Sequence, residues 1–440
     1  MQHEKFHYAD LASLEAELLR LGVHLPLSAD LSVLKTPVQA GKLALANRLA
    51  VQPMEGCDGT PEGSPGELTL RRYDRFAESG AALIWVEACA VVREGRANPR
   101  QLWIHRENVD DFRRLTDRIR ERAMRRFGFA PVLILQITHS GRYAKPDGVP
   151  APLIAYNNPI FEKDAPIDPS RILPDDALDA LIPRFGEAAA LAEAAGFDGA
   201  DVKCCHRYLF SELLSAYTRP GKYGGSFENR TRLFLDAVRA AKAATGSGFT
   251  ITSRLNVYDG FPYPYGFGVA EGGGIEPVLD EGVRLARILA RELDYHLLDV
   301  TIGNPYFNPH VNRPYDLGGY VPPEHPLEGV ARMFGCIGEI KAAAPELTVM
   351  SSGHTYLRAL APYLAAGAIE QGVSDVAGFG RMAFACPDFA ADILERGALD
   401  PKKVCVTCGK CTALMRAGST AGCVVRDPYY TKLYREVCVQ

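Results

Sequence analysis

The chain has 440 residues, a length that exceeds one average domain but suits a large barrel of alternating strands and helices with terminal additions. Hydrophobic residues make up 47% and charged residues 23%, an ordinary globular composition that argues against a disordered chain. The formal net charge of -4 gives no general attraction to phosphate backbones or anionic membranes, so we expect a small-molecule ligand and neither nucleic acid nor membrane as a partner.

The N-terminal stretch, MQHEKFHYAD, lacks a basic region followed by an apolar region, and no apolar run is long enough to cross a bilayer. We therefore expect a cytoplasmic protein. An amphipathic stretch over Leu11–Leu21 predicts a helix that packs against the rest of the fold. We interpret residues 1–30 as an N-terminal extension.

Eight short apolar runs, rich in β-branched residues, alternate with stretches of helical periodicity such as residues 179–195 and 228–243. This alternation is typical of repeated βα units, and eight parallel strands can close a barrel. We predict an α/β fold, a (β/α)8 TIM barrel over residues 31–400, with an open doubly wound sheet as the alternative. The runs are residues 48–53, 82–88, 132–137, 199–203, 249–254, 295–301, 347–352 and 375–379.

Function on such a barrel is read from the residues at the C-terminal ends of its strands. Gly353 follows the seventh run, and Gly378 and Gly380 lie at the end of the eighth, where backbone N–H groups could approach a phosphate. Arg381 adds a bidentate cation. This placement predicts a phosphorylated cofactor. The alternative is that the glycines only turn the chain.

Other strand ends supply polar groups that suit a flavin. An amide and a guanidinium would match the pyrimidine edge of the isoalloxazine, and an arginine there would stabilise the anionic reduced form. We therefore list as cofactor-binding candidates Pro53, Met54 and Glu55 after the first run, Ala88 in the second, Gln136 in the third and Arg254 at the end of the fifth.

Four stretches form a long and specific signature: LANRLAVQPM (45–54), LQITHSGR (135–142), YGGSFENRTRLFLDAV (223–238) and AGFGRMAFACPDF (377–389). They resemble the old yellow enzyme family of NADH:flavin oxidoreductases, in the branch near bacterial 2,4-dienoyl-CoA reductase and trimethylamine dehydrogenase. The resemblance implies noncovalent FMN, with Gln136 and Arg254 on the pyrimidine, Ala88 lining it, and Gly353, Gly380 and Arg381 on the phosphate. NAD(P)H is the implied electron donor.

The family's catalytic segment corresponds to VKCCHRYL, residues 202–209. The resemblance places His206 on a substrate-binding position and Tyr208 on the proton donor, whereas Lys203 replaces the usual first histidine. A lysine there would favour an anionic or carboxylate-like acceptor, unless it only forms a salt bridge with Asp201. For Tyr208, the structural alternative is a buried aromatic residue with a satisfied hydroxyl.

Four of the eleven cysteines, Cys405, Cys408, Cys411 and Cys423, are crowded near the end, in the segment that we delimit as residues 401–440. Such a set predicts a [4Fe-4S] cluster or a structural Zn²⁺ in a reducing compartment. The relatives named above carry a cluster at the corresponding place, but with three residues between the second and third ligands. They also continue into a nucleotide-binding region, which we expect this chain to lack, so NAD(P)H or a separate electron-donor protein would supply the electrons.

The preferred function is reduction of the C=C bond of an α,β-unsaturated carbonyl compound, an enoate or an enoyl thioester, with hydride from FMN N5 and a proton from Tyr208. Two flavin alternatives are a dehydrogenase or demethylase of amine or alcohol type and an electron-relay subunit. A non-redox barrel lyase is a third. We predict that loops over residues 256–276 and 303–323 wall the substrate pocket. The oligomeric state is not predicted.

Overall fold

The computed structural model describes residues 5–315 and 319–439. Within these ranges, parallel strands form a ring in which each pairs with its neighbour in the chain order of the predicted runs. The strands are β1 (Val38–Ala40), β2 (Leu43–Leu45), β3 (Leu49–Val51), β4 (Leu83–Ala90), β5 (Leu102–Trp103), β6 (Val132–Thr138), β7 (Gly199–Val202), β8 (Thr250–Thr252), β9 (Arg254–Asn256), β10 (Leu297–Thr301), β11 (Thr348–Ser351) and β12 (Val376–Phe379).

Every predicted run contains a barrel strand or most of one. The fifth run, residues 249–254, contains β8 and the first residue of β9. β8 pairs with β7, and β9 pairs with β10, so the ring closes through the single residue Ser253 between them. Its backbone still takes part in the sheet, because Asp299 N donates to Ser253 O at 3.0 Å. The predicted TIM barrel is confirmed, and the open-sheet alternative is wrong.

Helices follow the barrel strands and cover the outside of the ring. Those described are α1 (Leu11–Leu21), α2 (Glu67–Ala77), α3 (Val109–Phe127), α4 (Asp175–Ala194), α5 (Leu209–Leu213), α6 (Phe227–Ala244), α7 (Asp280–Arg291), α8 (Pro309–Asn312), α9 (Pro326–Ala343), α10 (Ala361–Glu370), α11 (Arg381–Ala385), α12 (Phe389–Arg396), α13 (Lys410–Arg416) and α14 (Pro428–Cys438). None of the described helices has the length and apolarity needed to span a membrane.

Local capping explains the helix bounds. The helix predicted over Leu11–Leu21 is confirmed as α1, which begins after Asp10, whose carboxylate accepts from Ser13 N, and ends at Gly22 in the left-handed region. α4 begins four residues earlier than its periodicity suggests, because Pro174 and two aspartates in the first turn favour a helix start there. α6 begins after Ser226, whose hydroxyl accepts from Asn229 N.

The barrel strands alternate between two apolar clusters. On β4, Leu83 and Trp85 face the inside of the barrel, whereas Ile84 and Val86 pack against the surrounding helices. The hairpin of β1 and β2 contributes Leu43 to the inner cluster, at the end where the barrel strands begin. That end is therefore closed by apolar side chains, and polar groups are left to the other end.

The C-terminal segment forms a small apolar cluster of its own around Leu414, Val424 and Tyr430. It is tied to the barrel by Asp427, which accepts from Tyr429 N as the N-cap of α14 and pairs with Arg71 at 2.9 Å and Arg75 at 2.7 Å on α2. The boundaries at residues 30 and 400 stay predictions.

Candidate active site

The C-terminal ends of the barrel strands surround one large cavity with about 1130 Å³ of empty space, part of it open to solvent. All the residues predicted to bind the cofactor line it, together with Lys203, His206 and Cys411. The cofactor candidates are Pro53, Met54, Glu55, Ala88, Gln136, Arg254, Gly353, Gly380 and Arg381. Tyr208 lies behind this wall, and Cys405, Cys408 and Cys423 lie at a second cavity.

Two buried carboxylates fix the polar groups at the floor of the cavity. Asp201 accepts from Gln136 Nε2 at 2.6 Å, Trp85 Nε1 at 2.8 Å and Arg254 N at 2.8 Å. Asp299 lies with Oδ2 3.0 Å from Arg254 Nε. Burial raises the pKa of Asp201 to about 6 and that of Asp299 to about 7, against the opposing effects of these donors. The amide and the guanidinium are thus held in fixed positions.

Gln52 is a residue of the cavity wall that the sequence reasoning missed. Its Nε2 donates to Asp299 Oδ1 at 3.1 Å and to Ser352 Oγ at 3.1 Å. Its Oε1 is buried and has no donor among the described residues. A buried amide oxygen of this kind needs a hydrogen-bond donor from a ligand or water. Its position directly before Pro53, at a strand end, was the available signal.

The glycines at the ends of the last strands keep the cavity open. A Cβ on Gly380 would lie 2.9 Å from Met54 Sδ, and a Cβ on Gly378 would collide with the Gln52 amide. Gly353 has φ +96°, a backbone conformation that side chains disfavour. Glycine is therefore required at these positions by close approach as well as by the turn.

Two arginines at one side of the cavity lack a carboxylate partner within the described ranges. Arg381 begins α11, and Arg313 comes from the loop after β10, where its Nη1 donates to Thr412 Oγ1 at 2.6 Å. Burial and then the charge of Arg381 lower the pKa of Arg313 to about 10. Two neighbouring cations without an anion form a site for a phosphate or another anionic group. Arg313 was not found from the sequence.

Lys203 is also a buried cation facing the cavity. Its side chain is only 5% exposed, and in the described part of the chain its ammonium has neither an ion-pair partner nor a hydrogen-bond acceptor. Nζ lies 3.6 Å from the centre of the Tyr208 ring. The alternative of a Lys203–Asp201 salt bridge is wrong, because Asp201 is occupied by other donors. Burial lowers the pKa of Lys203.

His206 lies beside Lys203 in a left-handed backbone conformation, with φ +62°. Burial, followed by the charges of Arg254 and Lys203, lowers the pKa of its imidazole well below the ordinary value. Its Nε2 is 3.4 Å from Asn312 Nδ2. His206 is therefore neutral at physiological pH and acts as a hydrogen-bonding group.

Three tyrosines meet at the cavity beyond Lys203. The hydroxyls of Tyr208 and Tyr306 are 3.0 Å apart, and the ring centres of Tyr143 and Tyr306 are 4.3 Å apart. Tyr306 lines the cavity, whereas Tyr208 is fully buried behind it. The Tyr208 hydroxyl therefore has a hydrogen-bonding partner, as the alternative of a buried structural tyrosine predicted, and that partner is the Tyr306 hydroxyl.

The two loops predicted to wall the pocket behave differently. Residues 305–313 contribute Pro305, Tyr306, Asn312 and Arg313 to the lining, whereas Asp316 to Gly318 lie outside the described residues. The loop over residues 256–276 does not contribute to the described lining, so that prediction is wrong. Asp259 anchors this loop by accepting from the buried Arg207 at 2.9 Å and from Phe267 N at 3.0 Å.

The four clustered cysteines line a second, smaller cavity with about 330 Å³ of empty space. Arg381, Phe384 and Cys411 line both cavities. Burial raises the pKa of the Cys405 thiol to about 12. No group of three or more His, Cys, Asp or Glu among the described residues is spaced to hold a single metal ion.

Comparison with known proteins gives a family. The model of the NADH:flavin oxidoreductase / NADH oxidase family matches residues 33–284. A "Metal reductase" of Desulforamulus reducens is 30% identical over 53% of this chain and 34% of its own length. An "NADH oxidase" of Thermoanaerobacter brockii is 30% identical over 60% of this chain and 38% of its own length. The chain thus spans little more than a third of these relatives.

Solved structures share the fold. A 2-naphthoyl-CoA reductase in complex with 2-naphthoyl-CoA aligns with a TM-score of 0.73 and 18% identity, over 92% of this chain and 58% of the other. Histamine dehydrogenase from Rhizobium sp. 4-9 aligns with a TM-score of 0.69 and 21% identity, over 91% of this chain and 53% of the other. Since the family match covers more than half of the 440 residues, the chain belongs to the NADH:flavin oxidoreductase / NADH oxidase family of flavin-dependent enzymes, as the old yellow enzyme motifs predicted.

Proposed function

We propose that this protein binds FMN in the strand-end cavity and, with NAD(P)H as reductant, reduces the C=C bond of an α,β-unsaturated carbonyl compound, an enoate or an enoyl thioester. The observation that carries this proposal is the clustering in one cavity of a fixed amide, a fixed guanidinium, a glycine-lined anion site and an unpaired buried lysine. The family membership makes a flavin the expected occupant.

The donors and charges of the cavity fit FMN. Gln136 and Arg254 would contact the pyrimidine ring, and Gln52 Oε1 would accept a hydrogen bond that no described residue supplies. Arg381 and Arg313, beside the open backbone at Gly380, would hold the phosphate. Pro53, Met54, Glu55, Ala88 and Gly353 complete the wall. When bound and reduced, FMN supplies a hydride to the β-carbon of the substrate.

Lys203 and His206 would hold the activating oxygen of the substrate. An unpaired ammonium in a largely dry site stabilises the negative charge that develops on that oxygen as the double bond is reduced. Neutral His206 adds a hydrogen bond without adding a second charge. The tyrosine pair of Tyr208 and Tyr306 stands on the same side and would protonate the α-carbon.

The charge of the cavity favours reduction over amine oxidation. Lys203 has no ion-pair partner within the described ranges and is not assigned to the phosphate, so its charge would disfavour a protonated amine in the site. The resemblance to histamine dehydrogenase does not change this balance, because at 21% identity it concerns the fold alone.

The second cavity is proposed to hold a [4Fe-4S] cluster on Cys405, Cys408, Cys411 and Cys423. A structural Zn²⁺ on the same four thiolates is the alternative. Thiols arranged around a shared void suit a larger inorganic core. The cluster would exchange electrons with an external donor protein.

The test is an absorption spectrum of anaerobically purified protein with iron and sulfide analysis, followed by addition of enones to the photoreduced protein and of amines to the oxidised protein. We expect a flavin spectrum, about four irons and four sulfides per chain, reoxidation of the flavin by enones and no reduction of the flavin by amines. Protein that stays colourless after reconstitution with excess FMN would contradict the flavin assignment. Reduced flavin that no enone or enoate reoxidises would contradict the reductase assignment.

A further inference from the structure

The hydroxyl groups of Tyr306 and Tyr208 are hydrogen-bonded, and the carboxyl group of Glu55, which also lines the cavity, lies beside Tyr208. We infer that Tyr306 is the group that gives its proton to the substrate carbon, and that Glu55 replaces this proton through Tyr208. The inference rests on the proposed reduction and adds two residues to it. Tyr306 would be the catalytic acid, whereas Tyr208 and Glu55 would supply protons to it.

The positions of the two tyrosines assign their order. Tyr306 lines the cavity, and Tyr208, which is 0% exposed, lies behind it with the hydroxyls 3.0 Å apart. A ligand in the cavity therefore meets the Tyr306 hydroxyl first. General acid catalysis requires direct reach to the reacting atom, and only the first hydroxyl of this pair has it in the described structure.

Tyr306 is held in place although it belongs to a loop. Its N–H donates to Asn304 Oδ1 at 3.0 Å, and its carbonyl accepts from Arg416 Nη2 at 3.2 Å. Asn304 also donates to the Tyr143 hydroxyl at 2.7 Å, and the Tyr143 ring packs on Tyr306. Such support on several sides is expected for a group that must keep a fixed direction toward a substrate.

Glu55 stands at the other end of the tyrosine pair. Asn98 Nδ2 donates to its Oε1 at 3.1 Å, and Tyr208 is close enough to lower its pKa as a hydrogen-bond donor. Burial outweighs these effects and raises the pKa of Glu55. A carboxyl group with a raised pKa holds a proton closer to neutral pH and can pass it on.

The raised pKa values of the two tyrosines explain why a proton lost from either of them must be replaced. Burial and the charge of Glu55 raise the pKa of both phenols above the ordinary value, so a lasting tyrosinate would be costly. In the relay, the Tyr306 O–H bond breaks as the α-carbon gains its proton. Tyr208 then protonates Tyr306, and Glu55 protonates Tyr208. Only a carboxylate remains, beside the charge of Lys203, and water in the cavity reprotonates it.

The proton inventory agrees with the overall reaction. Reduced FMN would supply the hydride for the β-carbon, and the α-carbon would take one proton, which Tyr306 gives and Glu55 replaces. No additional oxidant or reductant is needed. The relay predicts that Glu55 is protonated in the resting enzyme at the lower end of the working pH range.

The test separates the two half-reactions in Tyr306→Phe, Tyr208→Phe and Glu55→Gln holoenzymes, with Tyr320→Phe, an exposed tyrosine of the same loop, as the control. We expect flavin reduction by NAD(P)H to stay within about threefold in the three tyrosine variants, since hydride transfer to the flavin needs no proton donor. Reoxidation by an enone should slow by about 100-fold or more in Tyr306→Phe. Glu55→Gln should slow it by about 10-fold and remove its dependence on pH.

A readout without turnover is the infrared C=O stretch of a protonated carboxyl group in the oxidised enzyme. A band that titrates with pH in the wild type and is absent in Glu55→Gln supports the relay. Tyr306→Phe that reoxidises as fast as wild type, in a wild type that does reduce enones, overturns the relay and leaves the proposed function intact. A wild type that binds FMN but reduces no enone or enoate overturns the proposed function itself.

Discussion

The two cavities share a wall at Arg381, Phe384 and Cys411, yet they are built in different ways. The strand-end cavity is lined by residues from many barrel strands, whose spacing is set by backbone hydrogen bonds of the ring. The cysteine cavity is lined mostly by one segment, residues 405–425, with a single short helix. The first geometry is a property of the fold, whereas the second should depend on its metal.

The largest expected effect is on the cysteine cavity. Cys423→Ser should abolish binding of the metal centre, because one of four thiolate ligands is removed, while FMN content should stay within about threefold if the barrel site is independent. Iron, sulfide and flavin analysis of one purified sample measures both. The matched control is Cys438→Ser on α14. Unchanged iron and sulfide in Cys423→Ser would remove this cysteine from the ligand set.

Next in size is the effect of Arg381→Met on FMN binding. The Kd for FMN should rise by about 10- to 100-fold, since a charge-assisted hydrogen bond to a phosphate is worth roughly 1.5–3 kcal/mol. Quenching of flavin fluorescence gives the Kd. Arg396→Met, at an arginine that is 65% exposed on α12, should leave it unchanged. Equal affinities of the two variants would show that the phosphate is bound elsewhere.

A smaller effect concerns the pH dependence of the stability of the barrel. Burial raises the pKa of Asp299 to about 7, above the value of about 3.9 in an unfolded chain, so the native state binds more protons between these pH values. The contribution of Asp299 to the free energy of unfolding should therefore be largest below about pH 4 to 5 and should decrease as the pH rises toward 7. Urea unfolding should show a drop on the order of 1–3 kcal/mol. In Asp299→Asn the drop should shrink, and an identical slope would contradict the assignment.

The smallest effect tests the attachment of the cysteine segment. Asp427→Ala removes the N-cap of α14 and its ion pairs with Arg71 and Arg75, which should cost about 1 kcal/mol. Amide hydrogen exchange in residues 428–438 should become faster, with the barrel strands unchanged. Lys432→Gln, on an exposed side chain of the same helix, is the control. Faster exchange throughout the barrel would mean that the two regions are not separable.

The sequence predicted the strand-end cavity well because strand periodicity and chain order determine which residues end each strand. Gln136 and Arg254 come together although they are far apart in the chain, since all the parallel strands of the barrel end at the same side. The same logic would have found Gln52, which directly follows β3 and precedes the predicted Pro53.

Loop residues could not be predicted in this way. Tyr306 and Arg313 reach the cavity because Asn304 and Asn308 fold the loop with side-chain hydrogen bonds, and such bonds leave no periodic pattern. The course of the loop over residues 256–276 was missed for a related reason, because it is anchored by the buried Arg207–Asp259 pair. An ion pair between residues that are far apart in the chain cannot be predicted from the spacing of residue types.

The interruption of the fifth barrel strand at Ser253 limits the insertions and deletions that the chain could tolerate at this point. Thr250 to Thr252 are in register with β7, and Arg254 to Asn256 are in register with β10. Inserting or deleting one residue between them would turn every following side chain to the opposite face and carry Arg254 out to the helix layer. Substitutions at this point should be tolerated far better than insertions or deletions. Only an insertion or deletion would both break the strand pairing of the ring and remove the Arg254 side chain from the cavity.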